Sequence, residues 1–194
     1  MILVTGATGF VGRRVVGALA SAGHPVCALV RTPSRASVLS AHDAEIVQGD
    51  VLDPESLARA CDGVDTVIHL VAVLRERGEQ TYHRVNYKGT IDLLEAANAA
   101  GVKRIVHASA LGCSSDPSLP YLYSRWMAEH EVAQSAIPYT IVRFALGFGD
   151  GDEFFNVLAA QVKLSPVVPL LVDSSVSFQP IAVEDVARCL VTAL

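Results

Sequence analysis

Aromatic residues are scarce in this chain of 194 residues, at 6% of positions with a single tryptophan. Charge is scarce too: 18% of residues carry it, and the formal net charge is −5. Lysine and arginine nowhere form a run. Generic nucleic-acid binding is therefore not expected, because affinity for a phosphate backbone needs grouped cations. No apolar run reaches the ~18 residues needed to span a bilayer. Met1 leads straight into ILVTG without a basic n-region, so no secretory leader is expected and the expected compartment is cytoplasmic. Cys27, Cys61, Cys113 and Cys189 show neither CxxC spacing nor a histidine at metal-ligand distance. They read as small buried hydrophobes of a reducing compartment. Linkers, repeats and low-complexity tracts are missing as well.

What the chain does have is apolar content, 51% of its residues, which excludes disorder and supports a well-buried α/β interior. Its length suits one domain over 1–194. Short runs rich in Val and Ile lie at 2–6, 25–30, 44–50, 65–72, 103–110 and 139–146, as expected of strands buried on both faces. Helical stretches fall between them at 10–22, 54–61, about 80–100 and 121–135. Asp53 is placed to cap the second helix, with Pro54 at its first position, and Gly101 stops the third. Alternating strands and helices predict a doubly wound parallel sheet of Rossmann type, with right-handed crossovers and helices on both faces. From 147 to 180 the pattern loosens, with one helix near 152–163. That segment reads as a reduced, curtailed substrate-side region, before a final helix led by Glu184 and Asp185.

VTGATGFVG places Gly6, Gly9 and Gly12 directly after the first strand and at the opening of the first helix. Gly6 permits a tight turn, Gly9 lets backbone approach a pyrophosphate, and Gly12 allows close helix–strand packing. The helix N-terminus offers free N–H groups and the positive end of its dipole to the anion. Thr8 and Phe10, between the glycines, belong to the same binding loop. The second strand ends ALVRTPSR, so Arg31 and Arg35 stand where an NAD binder usually shows an acid. A guanidinium matches a 2′-phosphate, which favours NADP(H) and leaves NAD(H) open. Asp50 of GDVLD is placed to accept from an adenine amino group, and Val51 to cover the ring. Leu70, Val71 and Ala72 end the fourth strand beside the same crevice, and Phe144 ends the sixth.

TGATGFVG, GDVLD, HLVAV, HRVNYKGTIDLLEAA, KRIVHASALG and YLYSRWMAE, in that order, resemble the short-chain dehydrogenase/reductase superfamily, extended or atypical branch. HASALG, RFALGFG and FQPIAVEDVA are most similar to the atypical branch that includes the nucleotide-binding accessory subunit of respiratory complex I. The resemblance implies a catalytic Tyr121, a substrate-binding Ser109, and Asn86 supporting the active-site lysine and a bound water. Arg125 stands where that lysine is expected. A phenol with a pKa near about 10 needs a neighbouring cation to act as a base at neutral pH. Arginine preserves that field and can bind ribose hydroxyls, but it cannot relay a proton.

Two functions follow. One is an NADP-dependent oxidoreductase or epimerase/dehydratase acting on a carbonyl or sugar nucleotide. The other is a dinucleotide-binding assembly, structural or sensor protein that turns little over. The expected partners are a dinucleotide and an unidentified small molecule, with a homodimer or larger complex left open. His69, His83 and His107 read as satisfied core histidines, and Asp150, Asp152 and Glu153 as a solvated acidic turn and helix start. No metal site is expected.

Overall fold

All six runs expected as strands pair into one parallel sheet. A computed structural model describes residues 1–164 and 177–194. The strands are β1 (Ile2–Thr5), β2 (Val26–Val30), β3 (Ala44–Gln48), β4 (Thr66–His69), β5 (Arg104–Ala110) and β6 (Tyr139–Phe144), in the order β3-β2-β1-β4-β5-β6. The order reverses between β1 and β4, so a crevice opens at their carboxyl ends. Alternation along β1 sends neighbouring residues to opposite faces. Leu3 packs with Leu57, Val67, Leu93 and Ile105, whereas Val4 packs with Val15, Leu19, Ile68 and Leu190. The first layer is covered by α2 (Pro54–Cys61), α3 (Gly89–Ala99) and α4 (Pro120–Gln134), the second by α1 (Gly12–Ser21) and α6 (Val183–Thr192). Burying each such Leu or Val contributes about 1.5–3 kcal/mol relative to leaving it in water.

Only the four central strands are sandwiched as expected. β3 and β6 are largely half-buried or exposed, because each ends the sheet and has a strand on one side only. The local signals hold. The Asp53 carboxylate accepts from the Glu55 amide at 3.2 Å, and Gly101 adopts φ +73° just beyond α3. The stretch at 80–100 is not one regular helix, however. A wide π turn over Tyr82–Lys88, capped by Thr81, runs into α3.

In the tail, β7 (Gly147–Phe148) pairs in parallel with β8 (Ile181–Ala182). α5 (Phe155–Leu164) starts at Asp152, whose Oδ1 accepts from the amides of Phe154, Phe155 and Asn156 at 3.1, 2.6 and 3.1 Å. Asp152 thus marks the helix start as expected, but as a buried cap and not a solvated one. Residues 165–176 of the reduced substrate-side region lie outside the described residues. Among the described residues, no helix is long and apolar enough to cross a membrane.

Candidate functional site

The glycine turn sits at the crevice. Gly6 takes φ +72°, and a Cβ there would lie 3.2 Å from the backbone of Leu70 and Val71, so the turn is pressed against the end of β4. At Gly12 a Cβ would fall 2.1 Å from Gly6 O and 2.8 Å from Ala7 backbone, which no side chain can occupy. Gly9 needs no positive φ; it is exposed, and a Cβ there would meet only Gly6 O, at 3.1 Å. Its role is therefore to leave the mouth of the turn open. The first helical bonds run from Arg13 to Gly9 and from Arg14 to Val11. Among the described residues the amides of Phe10, Val11 and Gly12 find no backbone acceptor. Such a helix start suits a pyrophosphate, so these residues fit a dinucleotide. Thr8 is half-buried in the turn, and Phe10 lies against Gly147 of β7.

At the β2–β3 side an open pocket of about 460 Å³ is lined by Arg31, Gly49, Asp50, Asp53, Ser56 and Arg59. Arg31 donates to Gln80 Oε1 at 2.7 Å and stands 4.0 Å from Asp50 Oδ2. Asp50 also accepts from the Leu52 amide at 3.1 Å. Arg35 is exposed on the 3₁₀ turn Pro33–Leu39. The Val51 side chain is buried and lies against Gly89, where a Cβ would touch it at 3.0 Å. Ala72 is half-buried beside Val71, and Phe144 is packed into the α1–α6 layer.

The opposite end of the crevice holds the tyrosine and the arginine. Tyr121 opens α4, and its ring meets Tyr82 edge-on at 5.8 Å. Burial pushes its phenol above the usual tyrosine range, and the opposing pull of Arg125 does not overcome this. Ser109, buried near the end of β5, shares a hydrogen bond with Cys113 Sγ at 3.2 Å. Behind it, the Glu129 carboxylate clasps Arg143, with contacts from Nε at 2.9 and 3.1 Å.

Arg125 is not turned toward a ribose. Buried, it donates to the carbonyl of Ala108 and, at 3.5 Å, to that of Val71, while Nη2 faces His107 Nε2 at 3.4 Å. That contact makes Nε2 the bare ring nitrogen and leaves the proton on Nδ1. Both His107 Nδ1 and Arg125 Nε are buried without a partner among the described residues. Asn86 also departs from its expected role. It is fully buried, and its amide is spent on Val73 (2.8 and 3.2 Å) and Ser124 Oγ (3.0 Å), pinning the loop after β4 to α4.

His69 is a satisfied core histidine, hydrogen-bonded to Thr5 Oγ1 at 2.7 Å and Thr90 Oγ1 at 3.0 Å. Burial pushes its pKa down to about 3, with the Arg125 charge adding to the effect, and His107 is lowered for the same reasons. His83 is not a core residue: it is exposed, with its ring 5.4 Å from Tyr87. The cysteines divide likewise. Cys27 and Cys61 are buried, whereas Cys113 is half-buried beside Ser109 and Cys189 is exposed. Cys113 and Tyr82 are site neighbours that sequence reasoning missed. The only signal for Cys113 is a polar sulfur four residues after a strand-end serine.

A model of an NAD(P)H-binding family matches residues 6–194. The ceramide reductase of Caulobacter vibrioides is 34% identical over 192 residues, covering 98% of this chain and 60% of that protein. The photosystem II assembly factor Ycf39 of Synechocystis is 34% identical over 150 residues, covering 77% of this chain and 45% of that one. Among solved structures, MoeE5 in complex with UDP-glucose and NAD superposes with a TM-score of 0.79 at 27% identity, covering 99% of this chain and 71% of its own. The chain thus spans about half of these two curated relatives.

Proposed function

The chain belongs to the NAD(P)H-binding family, of the short-chain dehydrogenase/reductase and epimerase/dehydratase type, and from that premise we propose that it reduces a carbonyl compound with NADPH. The observation that supports the reading is the grouping of Tyr121, Ser109 and Cys113 at the β5 side of the crevice, opposite the pocket that holds Arg31. The bound nicotinamide supplies the hydride. Ser109 holds the substrate oxygen by a hydrogen bond, and Tyr121 gives that oxygen its proton. A phenol raised by burial is suited to remain protonated until it donates. Arg125 stabilises the phenolate left behind, which regains its proton from solvent, since a guanidinium does not relay one. Arg31 selects the 2′-phosphate.

A second reading has specific support. Arg125 spends its donors on protein carbonyls, and one relative is an assembly factor, so a dinucleotide-stabilised assembly protein is the alternative. NADPH consumption with a panel of ketones, aldehydes and sugar nucleotides separates the two. Turnover lost by ~100-fold or more in Tyr121→Phe, with cofactor affinity kept, supports the enzyme. Turnover unaffected by Tyr121→Phe makes the tyrosine structural and moves the balance to the second reading.

A further inference from the structure

Arg125 carries a charge that nothing adjacent neutralises. It is buried, and no ion pair among the described residues includes it. The acid whose field reaches it, Glu129, is already clasped by Arg143. Its other neighbours are uncharged: the carbonyls of Val71 and Ala108, the His107 ring, and beyond that His69, whose ring centre is 5.2 Å from that of His107. A guanidinium keeps its proton inside proteins.

Topology decides what lies over this charge. The glycine turn follows β1, while Arg31 and Asp50 mark the β2–β3 side as the adenosine end. A dinucleotide laid across the carboxyl ends therefore carries its other nucleoside over β4 and β5. The carbonyls of Val71 and Ala108, which hold Arg125, belong to those two ends. The nicotinamide ring is a cation when oxidised and neutral when reduced. A fixed, desolvated cation beneath it opposes the oxidised form alone. We propose that Arg125 makes this a site for the reduced dinucleotide, so that the protein binds NAD(P)H in preference to NAD(P)⁺. The inference rests on the dinucleotide reading above and adds the redox state of the bound ligand. At an effective dielectric of about 20, two unit charges repel by ~1.4 kcal/mol, tenfold in affinity, even when about 12 Å apart. The Val71 and Ala108 carbonyls offset part of this, and a preference of about tenfold or more is expected.

Isothermal titration of the full chain with NADPH, NADP⁺ and 2′-phospho-ADP-ribose tests this, with NADH, NAD⁺ and ADP-ribose run in parallel. The reduced form should bind about tenfold more tightly or better in the wild type. In Arg125→Met and Arg125→Gln the ratio should fall to within about threefold, while Arg125→Lys keeps it at pH 7. Phospho-ADP-ribose, which lacks the ring, should bind all variants alike, a result that a merely structural role for Arg125 does not produce. Equal affinity of the wild type for both redox forms, or a ratio unmoved by the neutral variants, overturns the inference and leaves dinucleotide binding standing. No binding of any of these ligands to the wild type overturns the dinucleotide reading, and the inference with it.

Discussion

Replacing Arg125 by methionine should make the protein more stable. The variant keeps an unbranched side chain of similar reach and removes a cation that is 2% exposed, has no carboxylate partner among the described residues, and carries one unpartnered nitrogen. An uncompensated buried ion costs several kcal/mol even after the protein relaxes around it. Against this, the wild type gains a charge-assisted bond to the Ala108 carbonyl and weaker ones to the Val71 carbonyl at 3.5 Å and His107 Nε2 at 3.4 Å, together worth about 2–3 kcal/mol. The difference favours methionine by about 1–3 kcal/mol. For a chain of this size that amounts to roughly 2–10 °C in midpoint. Thermal unfolding by circular dichroism and urea unfolding at pH 7, both without dinucleotide, read the change. Arg125→Lys should not share this gain, because it leaves a buried cation in the same place. A methionine variant less stable than the wild type by ~1 kcal/mol or more would refute the reasoning, since the two carbonyls would then need the guanidinium more than the fold suffers from its charge. A gain in stability with a loss of function is what a retained, costly charge at a site implies.

Four other outcomes can be checked directly. Gly12→Ala should damage the fold as well as cofactor binding, by about 2 kcal/mol or more in urea, because its Cβ would lie 2.1 Å from Gly6 O. Gly9→Val should spare the fold and abolish binding, since only the open mouth of the turn is filled. Arg31→Glu should weaken NADPH by about 2–4 kcal/mol and NADH far less, and similar losses for both would remove Arg31 from the 2′-phosphate. Stability should fall as pH drops from about 6.5 toward 5. The buried histidines have folded-state pKa values far below the unfolded value, His69 at about 3, so the unfolded chain binds more protons across that window. The slope contributed by each is at most about 1.4 kcal/mol per pH unit, and a urea midpoint that stays flat over this range contradicts it.

Strand runs, helix starts and the glycine turn are local matters, and the sequence determined them. Short continuous apolar runs, Asp53 before Pro54, Gly101 after a helix, and glycines spaced for a strand–turn–helix all state preferences of a few neighbouring residues. The parallel, doubly wound order followed from their alternation alone. Which residues face the crevice was not legible in this way. Helical spacing placed Tyr121 and Arg125 on one face but did not say that α4 would press the guanidinium between the ends of β4 and β5. There it bonds Val71 and Ala108, which lie 54 and 17 residues away in the chain. The same holds for Asn86, turned by the π segment into the core, and for Val51, folded against Gly89. Cys113 joined the site only because the turn after β5 brings its sulfur back to Ser109. Burial and charge neutralisation depend on contacts between segments far apart in sequence, so only the packed tertiary structure decided them.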